Sequence, residues 1–191
     1  MNYVVLEFDK LEILKPRERW KLYFVIVSDH PGEQDKMIVG NIPAEFIRLK
    51  PQEQNTISFK PDGDDGADGL FVLEIPLPAS KRIKARAYLL HSRQGTRSIG
   101  KFMKEMKGGL GADALNIVTD MFGNSTPWLV IAKKALPLIG DVLRKIKDRD
   151  FGFISLDEKF GPEFKKNKKL KRVNTFSTGQ AKLTWQWSIQ D

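Results

Sequence analysis

AKLTWQWSIQ, residues 181–190, alternates without a break. Ala181, Leu183, Trp185, Trp187 and Ile189 fall on one face, and Lys182, Thr184, Gln186 and Ser188 on the other. A period of two sustained over this length marks a half-buried β-strand. Such a strand needs neighbours, and the residues just before it offer only one other clear strand, 151–156. Its partners must therefore come from the first half of the chain. That requirement favours one β-sandwich over residues 1–191 and disfavours two separate domains.

The first half supplies such partners. Short runs rich in Val, Ile, Phe and Tyr, bounded by Gly, Pro, Asp or Asn, predict strands at 4–13, 20–27, 37–40, 56–60, 70–75 and 82–90. Residues 20–27 are apolar on both faces and belong at the centre of a sheet. Pro76 and Pro78 should end the strand before them. In 82–90, Ile83, Ala85, Ala87 and Leu89 share a face opposite Arg82, Lys84, Arg86 and Tyr88, which predicts a half-solvated strand. With 151–156 and 181–189 the expectation is an antiparallel sandwich of about eight strands, mainly β with an α insertion.

That insertion spans residues 97–147, where the period changes. Ile99, Phe102, Met103, Met106 and Leu110 follow helical spacing, with Gly108 and Gly109 as a stop. Asp113 suits the cap of a second helix over 114–122, ending at Gly123. A third helix is expected over 128–146: Ser125, Thr126 and Pro127 resemble a cap and first-turn proline, and Trp128, Ala132, Ala135, Ile139, Val142 and Ile146 form a stripe that leaves Lys133, Lys134, Asp141, Arg144 and Lys145 aside. Pro137 should kink or interrupt it.

Between residues 147 and 156 the text reads KDRDFGFISL. Asp148 and Asp150 stand two apart, followed by Phe-Gly and an alternating strand. This resembles the third top loop of a C2 domain, with strands 4–13 and 20–27 compatible with the same sandwich. The resemblance implies a C2-like fold and a loop that in that family binds calcium and docks on lipid head groups, with Asp29 as the available first-loop acid.

Composition narrows the chemistry. The chain has 191 residues, 41% of them hydrophobic, enough for a sizeable core. It contains no cysteine, which excludes disulfides, thiolate metal sites and thiol nucleophiles, and only His30 and His91 offer imidazoles. Asp29 and His30 are adjacent on a strand and so point to opposite faces, a poor dyad. No hydrolase, zinc-protease or phosphate-loop motif occurs. The expectation is a protein that is not an enzyme and carries no cofactor. No basic leader with an apolar run and no uncharged stretch of spanning length is seen, which predicts a cytoplasmic or peripheral-membrane protein.

Charge is uneven. Residues 1–95 carry 14 basic and 14 acidic side chains, residues 96–147 carry 9 and 4, and residues 148–191 carry 9 and 6. An electrostatic partner should meet the second half. There the run KKNKKLKR places Lys165, Lys166, Lys168, Lys169, Lys171 and Arg172 in one stretch, suited to lipid or other polyanionic phosphates. Phe160, Phe164 and Phe176 flank it without interleaving, so nucleic acid is not expected. The stripe with Trp128, Leu129, Ala132 and Ile139, bordered by Lys133 and Lys134, suits a membrane or partner helix as well as a core. For calcium the candidates are Asp148 and Asp150 with Asp62 and Asp64 from the turn PDGDDGADG, residues 61–69; Arg149 between the first pair argues against a tight site.

The reading from sequence is a non-enzymatic binding module that engages an anionic membrane surface or a protein partner through the amphipathic insertion and the basic loop. Two alternatives are a toxin-like or secretion-associated protein whose helices insert into membranes, and a structural subunit of a larger assembly such as a homo-oligomer, for which the helices would pack between protomers.

Overall fold

The alternation at residues 181–190 becomes β13 (Ala181–Gln190), which pairs antiparallel with β1 (Tyr3–Ile13), so the first and last strands lie side by side. The computed structural model describes residues 2–14, 19–49, 55–61, 67–93, 99–119, 121–122, 126–146, 148–165 and 168–190. Around β1 a five-stranded sheet assembles: β12 (Leu170–Thr175) flanks β13, while β4 (Thr56–Ser58) and β5 (Leu70–Pro76) share the other edge of β1. Pro76 is the last residue of β5, as its missing N–H requires.

The six-stranded sheet runs β10–β7–β2–β3–β9–β8. These strands are β2 (Trp20–Asp29), β3 (Lys36–Leu49), β7 (Ala85–His91), β8 (Ala114–Val118), β9 (Trp128–Ala132) and β10 (Arg149–Ser155). A two-stranded ribbon joins β6 (Arg82–Ile83) to β11 (Glu158–Lys159). The expected strand at 82–90 is thus broken at Lys84. β2 sits between β7 and β3, the central place its two apolar faces predict.

One core lies between the two large sheets. Leu6, Phe8, Phe24, Trp128, Leu183 and Trp187 meet there, and burying side chains of this size contributes about 1.5–3 kcal/mol each. In β1 the inward positions run Val4, Leu6, Phe8 and then Leu11, Ile13. A register shift between Phe8 and Lys10 changes the parity, as a bulge does.

The insertion differs from expectation. Its first helix is α1 (Ile99–Leu110), which runs through Gly108 and Gly109 and stops at Gly111, whose φ of 57° lies in the left-handed region that favours glycine. The expected second helix is strand β8, and the first five residues of the expected third helix are strand β9. The two form a hairpin on the outer edge of β3. Short apolar runs such as ALNIV and WLVIA fit either element by periodicity, and here pairing with β3 decides. After β9 a 3-10 turn, Lys133–Leu138, holds Pro137, and only then does α2 (Ile139–Lys145) begin, confirming the interruption. The described residues therefore hold thirteen strands and two α-helices, against the eight and three expected.

A second core forms on the other face of the six-stranded sheet. Phe102, Met103, Met106 and Leu110 of α1 and Ile139, Val142 and Leu143 of α2 pack onto Tyr23, Val25, Val39, Leu90, Leu129 and Ile131. The layers thus run helices, six-stranded sheet, five-stranded sheet. β7 is covered on both faces at Tyr88 and Leu90, where a half-solvated strand was expected.

Candidate functional site

Trp128, Leu129 and Ile139 of the expected partner helix are fully buried, Trp128 between the sheets and the other two under the helical layer. The apolar stripe is core, which corrects its reading as a docking surface. Ala132 and Lys133 are half-buried and Lys134 is exposed, pairing with Asp113 at 3.0 Å. What the helical layer turns outward is charge. Lys101, Lys104 and Lys107 of α1 are exposed opposite its buried side, and Arg144 and Lys145 of α2 are exposed beside an Asp141 that accepts from Arg144. The α1 lysines were not singled out from sequence. Their i, i+3, i+6 spacing against Phe102 and Met106 was the available signal.

The basic run lies on the opposite side of the molecule. Glu7 and Asp9 of β1 and Gln186 of β13 point away from the core between the sheets, yet all three are buried. The run closes over them. Lys169 Nζ reaches Glu7 Oε2 at 3.1 Å and also pairs with Asp68; Lys171 lies 3.7 Å and Lys60 3.5 Å from Asp9. Arg172 pairs with Glu158 at 3.1 Å. Burial disfavours the Lys169 charge, but its hydrogen bonds to Asp68 and Glu7 outweigh this and hold its pKa above the usual lysine value. The hydrogen bond from Lys169 holds the Asp68 carboxyl below its usual range. Three of the six candidate cations, Lys169, Lys171 and Arg172, thus neutralise acids of this chain, whereas Lys165 and Lys168 are exposed. Lys166 lies outside the described residues.

The candidate calcium carboxylates do not converge. Asp148 Oδ2 accepts from the Tyr23 hydroxyl at 2.6 Å and Oδ1 from the Arg93 N–H at 3.3 Å, while Asp150 Oδ1 accepts from the Gly152 N–H at 2.7 Å. Asp62 and Asp64 lie outside the described residues. The Arg149 guanidinium sits 5.5 Å from the Trp20 ring centroid and donates to Gln180 Oε1. Among the described residues no three His, Asp or Glu side chains gather as a metal site would need.

At one end of the sandwich, the β2–β3 turn faces the segment between β5 and β6 across a cleft of about 450 Å³. Asp29 and His30 both line it without bonding to each other. Asp29 Oδ1 accepts from Lys133 Nζ at 3.1 Å and Oδ2 from the Lys84 N–H at 2.8 Å. His30 Nδ1 accepts from the N–H groups of Gly32 and Glu33, both at 3.1 Å, so the neutral ring carries its proton on Nε2. Burial holds the His30 pKa below the ordinary histidine value of 6.5; the Glu33 and Asp35 carboxylates oppose this and the Lys36 ammonium adds to it.

A lowered histidine pKa means that the unfolded chain takes up the proton first. The stabilisation is present above pH 6.5 and is lost as pH falls through the folded-state value. Melting temperature should therefore drop on acidification below that pH. His30→Asn, which keeps an acceptor for the turn N–H groups, should show a shallower drop, and an identical slope would remove His30 as a contributor.

No family model matches the sequence, and no curated protein matches it. Among solved structures the chain is similar to a Drosophila C2-DSL-EGF1 structure, with a TM-score of 0.42 and 7% identity over 100% of this chain and 68% of that one. The fold class is a mainly antiparallel β-sandwich.

Proposed function

We propose that the protein is a non-enzymatic binding module that docks on an anionic membrane surface through its helical layer. The observation that supports this best is the outward row of Lys101, Lys104 and Lys107 on a helix whose apolar side is already used in the second core. With Phe102, Met103 and Met106 buried, the contact is electrostatic and superficial. Each basic side chain near an anionic leaflet contributes about 1 kcal/mol. Lys101, Lys104, Lys107, Arg144 and Lys145 together outweigh Glu105 and Asp141 on the same layer, so binding is modest and salt-sensitive. The basic run faces the other way and half of it is engaged in ion pairs, so one flat surface does not meet both.

Insertion of the helices is the less favoured reading. It would draw the second core apart, and no described helix is long and apolar enough to cross a membrane. A C2-like character for the sandwich rests on the likeness of residues 147–156.

Co-sedimentation with vesicles tests the proposal. Phosphatidylcholine vesicles containing phosphatidylserine should pellet the protein at low salt and release it near 1 M salt, where the screening length falls to about 3 Å. Equal pelleting with phosphatidylcholine alone would reject it.

A further inference from the structure

The cleft at the β2–β3 turn combines leftover hydrogen-bond donors with an apolar wall. We propose that it binds a small carboxylate with a compact apolar body, gripped by Lys133, His30 and Arg82. The acids lining the cleft are already engaged: Asp29 holds Lys133 and the Lys84 N–H, and Glu33 holds Lys36. The donors are not exhausted. An ammonium has three N–H bonds, and Lys133 gives two of them, to Asp29 Oδ1 at 3.1 Å and the Gln34 carbonyl at 3.2 Å. His30 keeps its Nε2–H, with Glu33 Oε1 as far as 3.8 Å away. Arg82 is exposed in the same lining and has no carboxylate partner among the described residues.

With Asp29 matched by Lys133 and Glu33 by Lys36 from just outside the cleft, Arg82 is the lining cation left without a carboxylate partner among the described residues. A monoanion balances it and suits the guanidinium fork, whereas a dianionic phosphate would leave an unpaired charge in a half-enclosed place. Pro76, Pro78 and Ala79 line the cleft on the same wall as Arg82, across from the turn that carries His30, and offer apolar contact and no N–H from either proline. The volume of about 450 Å³ is in the range of small-molecule sites.

Benzoate serves as the probe, with benzamide as its neutral counterpart and inorganic phosphate as an anion without an apolar body. In an amide NMR titration of the full chain, benzoate should give saturable shifts at Gly32, Glu33 and Ala79, with much smaller responses to benzamide and phosphate. Arg82→Gln should weaken benzoate about tenfold or more, the loss of one charge-assisted contact, while Lys182→Gln on β13, outside the cleft lining, should leave it unchanged. Ala79→Asp, which sets a like charge on the apolar wall, should abolish the shifts without altering the melting temperature. Absence of saturable shifts, equal binding of benzamide or phosphate, or full affinity in Arg82→Gln would each overturn the proposal.

Discussion

Trp128→Ala should lower stability by about 3–5 kcal/mol, the cost of removing a buried indole and leaving its cavity. For a chain of this size that corresponds to a fall in melting temperature of about 10 °C. Trp128 is fully buried between the sheets, pairs in register with Gly40 across β3 and β9, and meets Phe122 edge-to-face at 5.0 Å. The ring lies so close over Gly40 that a Cβ there would come within 2.6 Å of it. Gly40→Val should therefore be destabilising by the same packing, and the two losses should not add, because each disrupts one contact. Trp128→Phe should be far milder, since it keeps an aromatic filler and removes an indole N–H that has no partner among the described residues. Thermal melts of the three variants check this. Were Trp128 on the exposed side of a helix, Trp128→Ala would change stability by about 0.5 kcal/mol or less.

The contrast shows where the sequence was legible. β13 follows from its period, β1, β2 and β5 from their runs of β-branched and aromatic residues, and the end of β5 from Pro76, because local pattern and tertiary demand agree there. β8 and β9 do not. Trp128 and Ala132 satisfy helical spacing by coincidence with Ala135 and Ile139, and what makes the first two a strand is the free edge of β3, some ninety residues earlier in the chain. α2 lies within the helix expected over 128–146, just beyond the Pro137 that was expected to kink or interrupt it.

Candidate surfaces were harder to read. The run from Lys165 to Arg172 looks like an open polyanion site in one dimension. In three, Lys169 and Lys171 serve Glu7 and Asp9, acids that alternation places on the outward face of β1 but whose burial under the loop no local pattern shows. Buried carboxylates of this kind demand a partner, and the run supplies it. The Asp148 and Asp150 pair likewise scatters, one to a tyrosine hydroxyl and one to its own turn. The cleft is assembled by residues far apart in sequence, so neither its volume nor the spare N–H of Lys133 could be read in advance.

Charge reversal separates the two basic regions. Lys101→Glu, Lys104→Glu and Lys107→Glu combined replace three attractive charges by three repulsive ones at exposed positions on α1. At about 1 kcal/mol per charge near the leaflet, affinity for anionic vesicles should fall by about a hundredfold or more. Lys165→Glu with Lys168→Glu changes exposed cations on the opposite side and should leave that affinity within about threefold. The most direct measurement is co-sedimentation of both variants and the parent chain with phosphatidylserine-containing vesicles at low salt, after melting curves show all three folded. Loss of pelleting only in the α1 variant is the result predicted here; retained pelleting in that variant, with loss in the Lys165 and Lys168 variant, would contradict a membrane-facing helical layer.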